Sequence, residues 1–397
     1  MNRMKPLAVA AGVVLAVSAA SGSAQQTTWH GEIRPRYEIR DPLGGGPDEF
    51  TSMRLRVAIE SRLDASVSFF AQLQDVRLWG EEASPLGDYR ADNIDLHQGY
   101  LRIHGQRLPW LTSTIGRMEA TFGGERLVGP VGWAQQGQSF DGARLDVERG
   151  WGDVALVAFK IGEASAPSVS QDSELYGAYG TVRDIGPGSL DVYWLFNRIE
   201  GLGDTDQHSV GSRYVFSAGR LNGRVEGTLQ KGTRAAVDVS AFMIGARLGA
   251  TLLPERLDAT LWYDYLSGDD PATPAVEVFH TLYATGHKFY GFADLFLDIP
   301  AHTAGAGLQD MALKLALRAT DRVRFAADLH SFRAAEQGTL SGSHFGDELD
   351  LSVTRRHSEH LTATVGFSYI LQDDAWAEIG RLDEDMKWLY VMLSAAF

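Results

Sequence analysis

Four arginines near the start of the chain, Arg34, Arg36, Arg54 and Arg56, occupy every second position of two short runs. In the first run His30, Glu32, Arg34, Arg36, Glu38 and Arg40 alternate with Trp29, Gly31, Ile33, Pro35, Tyr37 and Ile39. In the second, Ser52, Arg54, Arg56, Ala58 and Glu60 alternate with Met53, Leu55, Val57 and Ile59. A hairpin across 41–51, with paired positions summing to about 91, brings the four guanidiniums onto one face. Like charges set side by side on a sheet repel, so the cluster needs a counter-charge or a use. Glu32, Glu38 and Glu60 supply the first as a salt-bridge network. The second is a cationic track, since the arginine fork matches a carboxylate and rings of arginine select anions in pores. Both hold if some forks stay free. Gln72 and Gln74 add amides that suit hydroxyl groups beside the cluster.

A second basic group spans Gly116-Arg117-Met118-Glu119, Gly124-Glu125-Arg126-Leu127-Val128-Gly129, Trp133 and Phe140-Asp141-Gly142-Ala143-Arg144. Its spacing reads as a strand end, a long glycine-rich loop and the next strand, which gathers Arg117, Arg126 and Arg144 at an outer mouth. Arg224, Lys314 and Arg318 continue the series on alternating positions. This is chemistry for holding anions weakly. Bond-making chemistry is less evident: His97, His104, His330 and Ser331 are the candidates for a Ser/His pair, and none lies in a nucleophile motif. Asp264, Asp269 and Asp270 offer oxygen ligands of the kind Ca²⁺ takes, but read as a solvated acidic loop. No enzyme, metal or cofactor is expected.

The elements that position these residues are strands. Period-2 alternation recurs at 66–74, 143–148, 221–230, 310–318 and 348–354. One face is apolar and the other rich in arginine and glutamate, which suits a wall between lipid and a wet channel. At 100–103 and 173–182 both faces are mixed. Tight connections near 63–65, 104–110, 149–152, 184–189, 217–221, 253–256, 320–322 and 357–359 alternate with longer ones. The longer ones lie near 41–51, 76–93, 119–139, 162–173, 199–208, 267–287, 333–345 and 372–386, with a shorter one near 231–236. Counting every segment gives 19 strands, an odd number that leaves the termini on opposite sides of the membrane. Removing 288–299 gives 18 and restores the alternation. The stretch 267–307 then becomes one external loop. Its Phe279, Tyr283, Phe289, Tyr290, Phe292 and Phe296 can fill the mouth as a lid, with Asp269, Asp270, His287 and Lys288 on it.

Residues 1–24 read as a secretory leader: Arg3 and Lys5, an apolar run from Leu7 to Val17, then small residues to Ala24. Residues 25–397 contain no linker, and one barrel domain is expected. No cysteine is present, so no disulfide holds this exported chain. A closed hydrogen-bond ladder can do so instead. A net charge of -15 argues against nucleic acid. A mean hydropathy of -0.15 is what alternating lipid-facing and lumen-facing residues give. The alternating apolar end Leu389, Val391, Leu393, Ala395, Phe397 matches the terminus that outer-membrane assembly reads. The location expected is the bacterial outer membrane, among its lipids and lipopolysaccharide.

The second basic group, with Ser267-Gly268-Asp269-Asp270 and His287-Lys288-Phe289-Tyr290-Gly291, resembles the alginate-export family of outer-membrane barrels. The family pattern falls on Gly116, Arg117, Glu125, Arg126, Leu127, Trp133, Phe140, Asp141, Gly142 and Arg144. The resemblance implies an all-β, 18-stranded antiparallel barrel that passes an acidic polysaccharide outward through a positive constriction. It also implies periplasmic secretion partners. The sequence thus leads to a monomeric, passive channel for an anionic solute, with alginate-like polysaccharide first. Uptake of small acids or oligosaccharides is the alternative, and an enzyme or a blocked surface-binding barrel the second.

Overall fold

The computed structural model describes residues 26–41, 46–81, 94–164, 171–201, 203–381 and 384–397. The expected leader, 1–24, lies outside them. Eighteen strands form one antiparallel sheet closed by pairing of the last strand with the first. They are β1 (Thr27–Asp41), β2 (Asp48–Arg62), β3 (Val67–Leu78), β4 (Ile94–His104), β5 (Leu111–Met118) and β6 (Phe140–Arg149). Next come β7 (Gly152–Gly162), β8 (Asp172–Ile185), β9 (Gly188–Glu200), β10 (Thr205–Ala218), β11 (Leu221–Arg234) and β12 (Val237–Leu253). The barrel is completed by β13 (Leu257–Leu266), β14 (Leu308–Thr320), β15 (Val323–Arg333), β16 (His344–Arg356), β17 (Leu361–Gln372) and β18 (Met386–Ala396). Closure leaves no sheet edge, and every interior strand finds both ladders.

Alternation decides which way each residue points. On β1 and β2 the arginines are buried inside, whereas Ile33, Leu55 and Val57 stand outside at about 40 % exposure. Leu261, Met311 and Leu229 are around 60 % exposed, and such residues recur round the wall. Apolar side chains this bare form a continuous belt, which lipid accommodates and water does not. Aromatics mark its rims. Trp29, Phe69, Trp151, Phe216 and Phe325 lie near the ends joined by tight turns, and Tyr37, Tyr176, Phe196, Tyr265 and Tyr369 near the ends joined by longer loops.

Several expectations are refined. The β1–β2 register pairs Arg34 with Arg54 and Glu32 with Arg56, so paired numbers sum to an even value rather than to about 91. Opposed residues must face the same way, and the inward residues of both strands are even-numbered. The mixed face at 100–103 comes from a bulge: Gln72 pairs with Gln98 and Leu73 with Leu96, leaving His97 unpaired. Parity inverts there, so Leu96 and then Leu101 face outward. The mixed face of 173–182 has another cause, because inward Leu175 packs on a core inside the barrel. The long connection near 199–208 is only 201–204, since β9 and β10 run past the membrane with charged outer faces. Lys288–Ile299 forms no strand; the chain turns at Gly291 (φ +81°) and enters a short helix, Ile299–His302.

Phe397 exchanges backbone hydrogen bonds with Gly31, donating and accepting at 3.1 Å. Its ring covers Gly31, where a Cβ would collide with it. Deleting Phe397, which removes both of these hydrogen bonds, should lower the folded fraction on refolding into detergent micelles, read as loss of the heat-modifiable band, while Ile33→Val should not.

Candidate functional site

Among the described residues, two long connections turn into the lumen. The β5–β6 segment (119–139) and the β13–β14 segment (267–307) join edge to edge through a bridge between Val128 and Tyr283. Gly129 N–H donates to Tyr283 O at 3.0 Å and Tyr283 N–H to Leu127 O at 2.9 Å. Around them Phe122, Leu127, Phe279, Phe289 and Phe296 meet inward-facing Val157, Phe159, Leu195, Trp262 and Phe332 in an apolar core. Inward wall residues are therefore apolar where the aromatic parts of these segments pack on them, at Val157, Phe159, Leu195, Trp262 and Phe332.

The four arginines of β1 and β2 hold the first segment. Arg34 donates to the carbonyls of Gly132 (2.7 Å), Trp133 (3.0 Å) and Ala134 (2.9 Å), and to Gln135 Oε1 (3.0 Å). Arg36 donates to Trp133 O at 2.9 Å and to Glu38 at 2.7 Å, with its guanidinium 4.3 Å from the Trp133 ring centroid. Arg54 donates to Glu32 Oε1 at 2.8 Å and to Ala134 O at 3.3 Å. Arg56 bonds Gln74 Oε1 (2.7 Å) and Glu119 (3.2 Å), and Gln74 in turn donates to Gln136 O (2.8 Å). The repulsion is thus relieved by Glu32, Glu38, Glu119 and a run of carbonyl dipoles, not by Glu60. Gln72 accepts from Gln98 at 3.2 Å on the same wall.

Arg126 anchors the centre. It is 1 % exposed, donates to Asp264 Oδ1 and Tyr290 Oη at 2.9 Å each, and lies 3.4 Å from Glu226. Arg224 completes the group at 3.8 Å from Asp264, over the Trp262 ring. Burial opposes the Arg126 charge, but Asp264, Tyr290 and Glu226 outweigh it and raise its pKa. The second segment is pinned to β16, where Glu348 accepts from Ala293 N at 2.8 Å and Asp350 from Phe292 N at 3.2 Å. His287 stacks 4.2 Å from Trp133 and bonds Asp294 at 2.7 Å, and Lys288 pairs with Glu125.

Other expected site residues lie apart. Arg117 corrects the expected grouping with Arg126 and Arg144. It shares the parity of Ile115, faces outward and pairs with exposed Asp141 at 2.6 Å. Lys314 points inward to Asp328 (2.8 Å) and His330 (3.1 Å), and Arg318 is exposed near the periplasmic end beside Arg324. Asp269 accepts from Glu277 N (2.6 Å) and Val278 N (2.7 Å), and Asp270 from Ala272 N (2.8 Å). These acids cap turns. His330, an enzyme candidate, bonds Asp310 at 2.9 Å. Sequence reading overlooked Gln135, Gln136 and the pair Glu348/Asp350; the even-numbered parity of the last two was the available signal.

Several cavities lie beside these segments, and two of them are lined mainly by residues of β1–β6 and the first segment. A vestibule of about 530 Å³ lies toward the outer end, lined by Arg36, Glu38, Arg40, Arg77, Trp133 and Asp294. A chamber of about 410 Å³ lies toward the periplasm, lined by Gln98, Tyr100, Arg102, Glu119, Arg144 and Asp146. Arg144 chelates Asp146 at 2.9 Å through both oxygens.

His280, on the second segment, has its pKa depressed to about 4 by burial and then by Arg234, against a smaller pull from Asp298. A histidine kept neutral by docking favours docking fully above its free value of about 6.5, and progressively less as pH falls toward 4. Conductance should accordingly rise between pH 6.5 and pH 4, and His280→Gln should flatten that part of the profile.

The sequence profile of the alginate export family matches residues 26–378. No curated protein matches the chain in sequence. Among solved structures, Pseudomonas aeruginosa OpdL superposes with a TM-score of 0.67 at 12% identity, over 94% of this chain and 98% of that one. OpdO of the same organism gives 0.64 at 15%, over 94% and 97%. The P. aeruginosa outer membrane protein opdK gives 0.63 at 11%, over 94% and 98%.

Proposed function

The chain belongs to the alginate export family and is a bacterial outer-membrane channel, and from that premise we propose that it passively conducts an anionic solute, with secretion of an acidic, alginate-like polysaccharide as the first reading. The supporting observation is that guanidiniums line both cavities, Arg36 and Arg40 outside and Arg102 and Arg144 inside, each set interleaved with carboxylates. A uronate leaving one fork meets another within the same passage. Partly solvated ion pairs are worth about 1 kcal/mol or less, so each contact releases as readily as it binds, which conduction requires. Direction follows the solute gradient. Partners in the periplasm belong to the polysaccharide reading.

The size of the cavities favours a second reading, uptake of small organic acids or oligosaccharides, because about 410–530 Å³ holds only a few sugar units. Current through single channels in planar bilayers tests both. Anion selectivity is expected, reduced in Arg102→Ala/Arg144→Ala, with interruptions by added oligouronates. Cation selectivity unchanged by these substitutions would overturn the anion route. Block by acetate-sized acids but not by oligouronates would transfer the reading to uptake.

A further inference from the structure

The lipid-facing side of β7–β12 is graded in three rows by the strand register. The innermost row, Leu156, Ala178, Trp194, Val210, Leu229 and Phe242, is apolar. One step outward stand Tyr176, Phe196, His208, Lys231 and Ser240, each the direct cross-strand neighbour of the next. The step beyond is charged except at Thr233 of β11: Lys160, Glu174, Arg198, Asp206 and Asp238. Hydrocarbon therefore ends at the middle row, and the headgroups of the outer leaflet begin there.

In the charged row the cations are already neutralised. Lys160 pairs with Glu163, Asp172 and Glu174, and Arg198 with Glu200 and Asp206. Lys231 differs. It is exposed, pairs with no carboxylate among the described residues, and donates only to Ser240 Oγ at 2.6 Å. Beside it Trp194 Nε1 donates to His208 Nδ1 at 3.1 Å, while Phe196 stacks on the imidazole at 4.5 Å. An indole N–H can only donate, so His208 keeps its proton on Nε2 and offers a donor from a ring fixed on two sides. The acids nearest the pair are Asp206 and Asp238, one row further out.

We propose that Lys231 and His208, with the Ser240 hydroxyl, form a docking site for a phosphate of the outer-leaflet glycolipid, the phosphorylated headgroup of lipopolysaccharide. Its acyl chains would lie on Trp194, Val210, Leu229 and Phe242 below. Charge complementarity and depth fix the occupant: a free cation and an oriented donor sit at the hydrocarbon boundary, where a lipid phosphate lies and a soluble anion does not. The site faces away from the lumen, so it is independent of what the channel conducts.

Native mass spectrometry of the detergent-purified protein, titrated with limiting bis-phosphorylated lipid A, tests this. A lipid A adduct is expected, about fivefold weaker in Lys231→Ala, as loss of one cation at a membrane surface predicts, and weaker again in Lys231→Ala/His208→Ala. Lys160→Ala, which removes an already neutralised cation, should leave it unchanged, as should all single-channel properties. Heat-modifiability confirms that each variant is folded. Equal retention by wild type and the double variant, or equal retention of lipid A stripped of its phosphates, would overturn the proposal.

Discussion

Arg126→Met should raise single-channel conductance severalfold and expose the 119–139 and 267–307 segments to protease, while the heat-modifiable barrel persists. The side chain is essentially sealed from solvent and compensates two carboxylates, Asp264 on β13 and Glu226 on β11. Without it, Arg224 alone faces both at 3.8 Å and 3.9 Å, too far for good hydrogen bonds. Removing one partner of a buried ion pair costs about 3–5 kcal/mol because the other charge stays buried. The strand ladders do not depend on Arg126, so the cost falls on the docked segments. Lifting them hydrates Asp264 and Glu226, and about 3–5 kcal/mol multiplies an open population by roughly 10² to 5 × 10³. Asp264→Asn in the Arg126→Met background should restore part of the docking, since one of the orphaned charges is gone. Conductance identical to wild type, with both segments still protected, would show that the central group does not hold the lumen closed.

What the sequence disclosed divides along physical lines. Strand number and order were legible because lipid enforces alternation: Leu313, Leu315 and Leu317 cannot face the lumen, nor Asp310 and Lys314 the hydrocarbon. The absence of a strand at 288–299 followed from closure, which needs an even count with both termini on one side. The family was legible in Gly116, Arg126, Trp133 and Phe140 taken in order. The interior core was much less so. Leu175, Leu195 and Phe159 resemble lipid-facing residues, and only the folded position of 119–139 and 267–307 turns them inward. The partners of Arg34 and Arg36 were also beyond reading, because most are backbone carbonyls about 100 residues away, which no side-chain pattern announces. The outward turn of Arg117 was within reach, since it stands two residues from Ile115.

Arg34→Lys and Arg34→Ala should behave alike, and this separates the two uses a sequence can propose for the β1–β2 arginines. A track for anions needs positive charge, which lysine keeps. A clamp needs the planar fork, because Nε, Nη1 and Nη2 of Arg34 reach four oxygens along 132–135 at once. Lysine offers three donors from one atom and cannot span that stretch. Each bond to a charged donor is worth about 1.5–3 kcal/mol net, so loss of even two frees Gly132–Gln135 from the wall. Trp133 then leaves its place between Arg36 and His287, and the vestibule opens into the lumen. Conductance should rise in both variants by a similar factor, with more frequent gating. Wild-type conductance in Arg34→Lys, with anion selectivity lost only in Arg34→Ala, would instead make Arg34 a conducting charge and leave the fold of 132–136 to its other anchors, Arg36, Arg54 and Gln74.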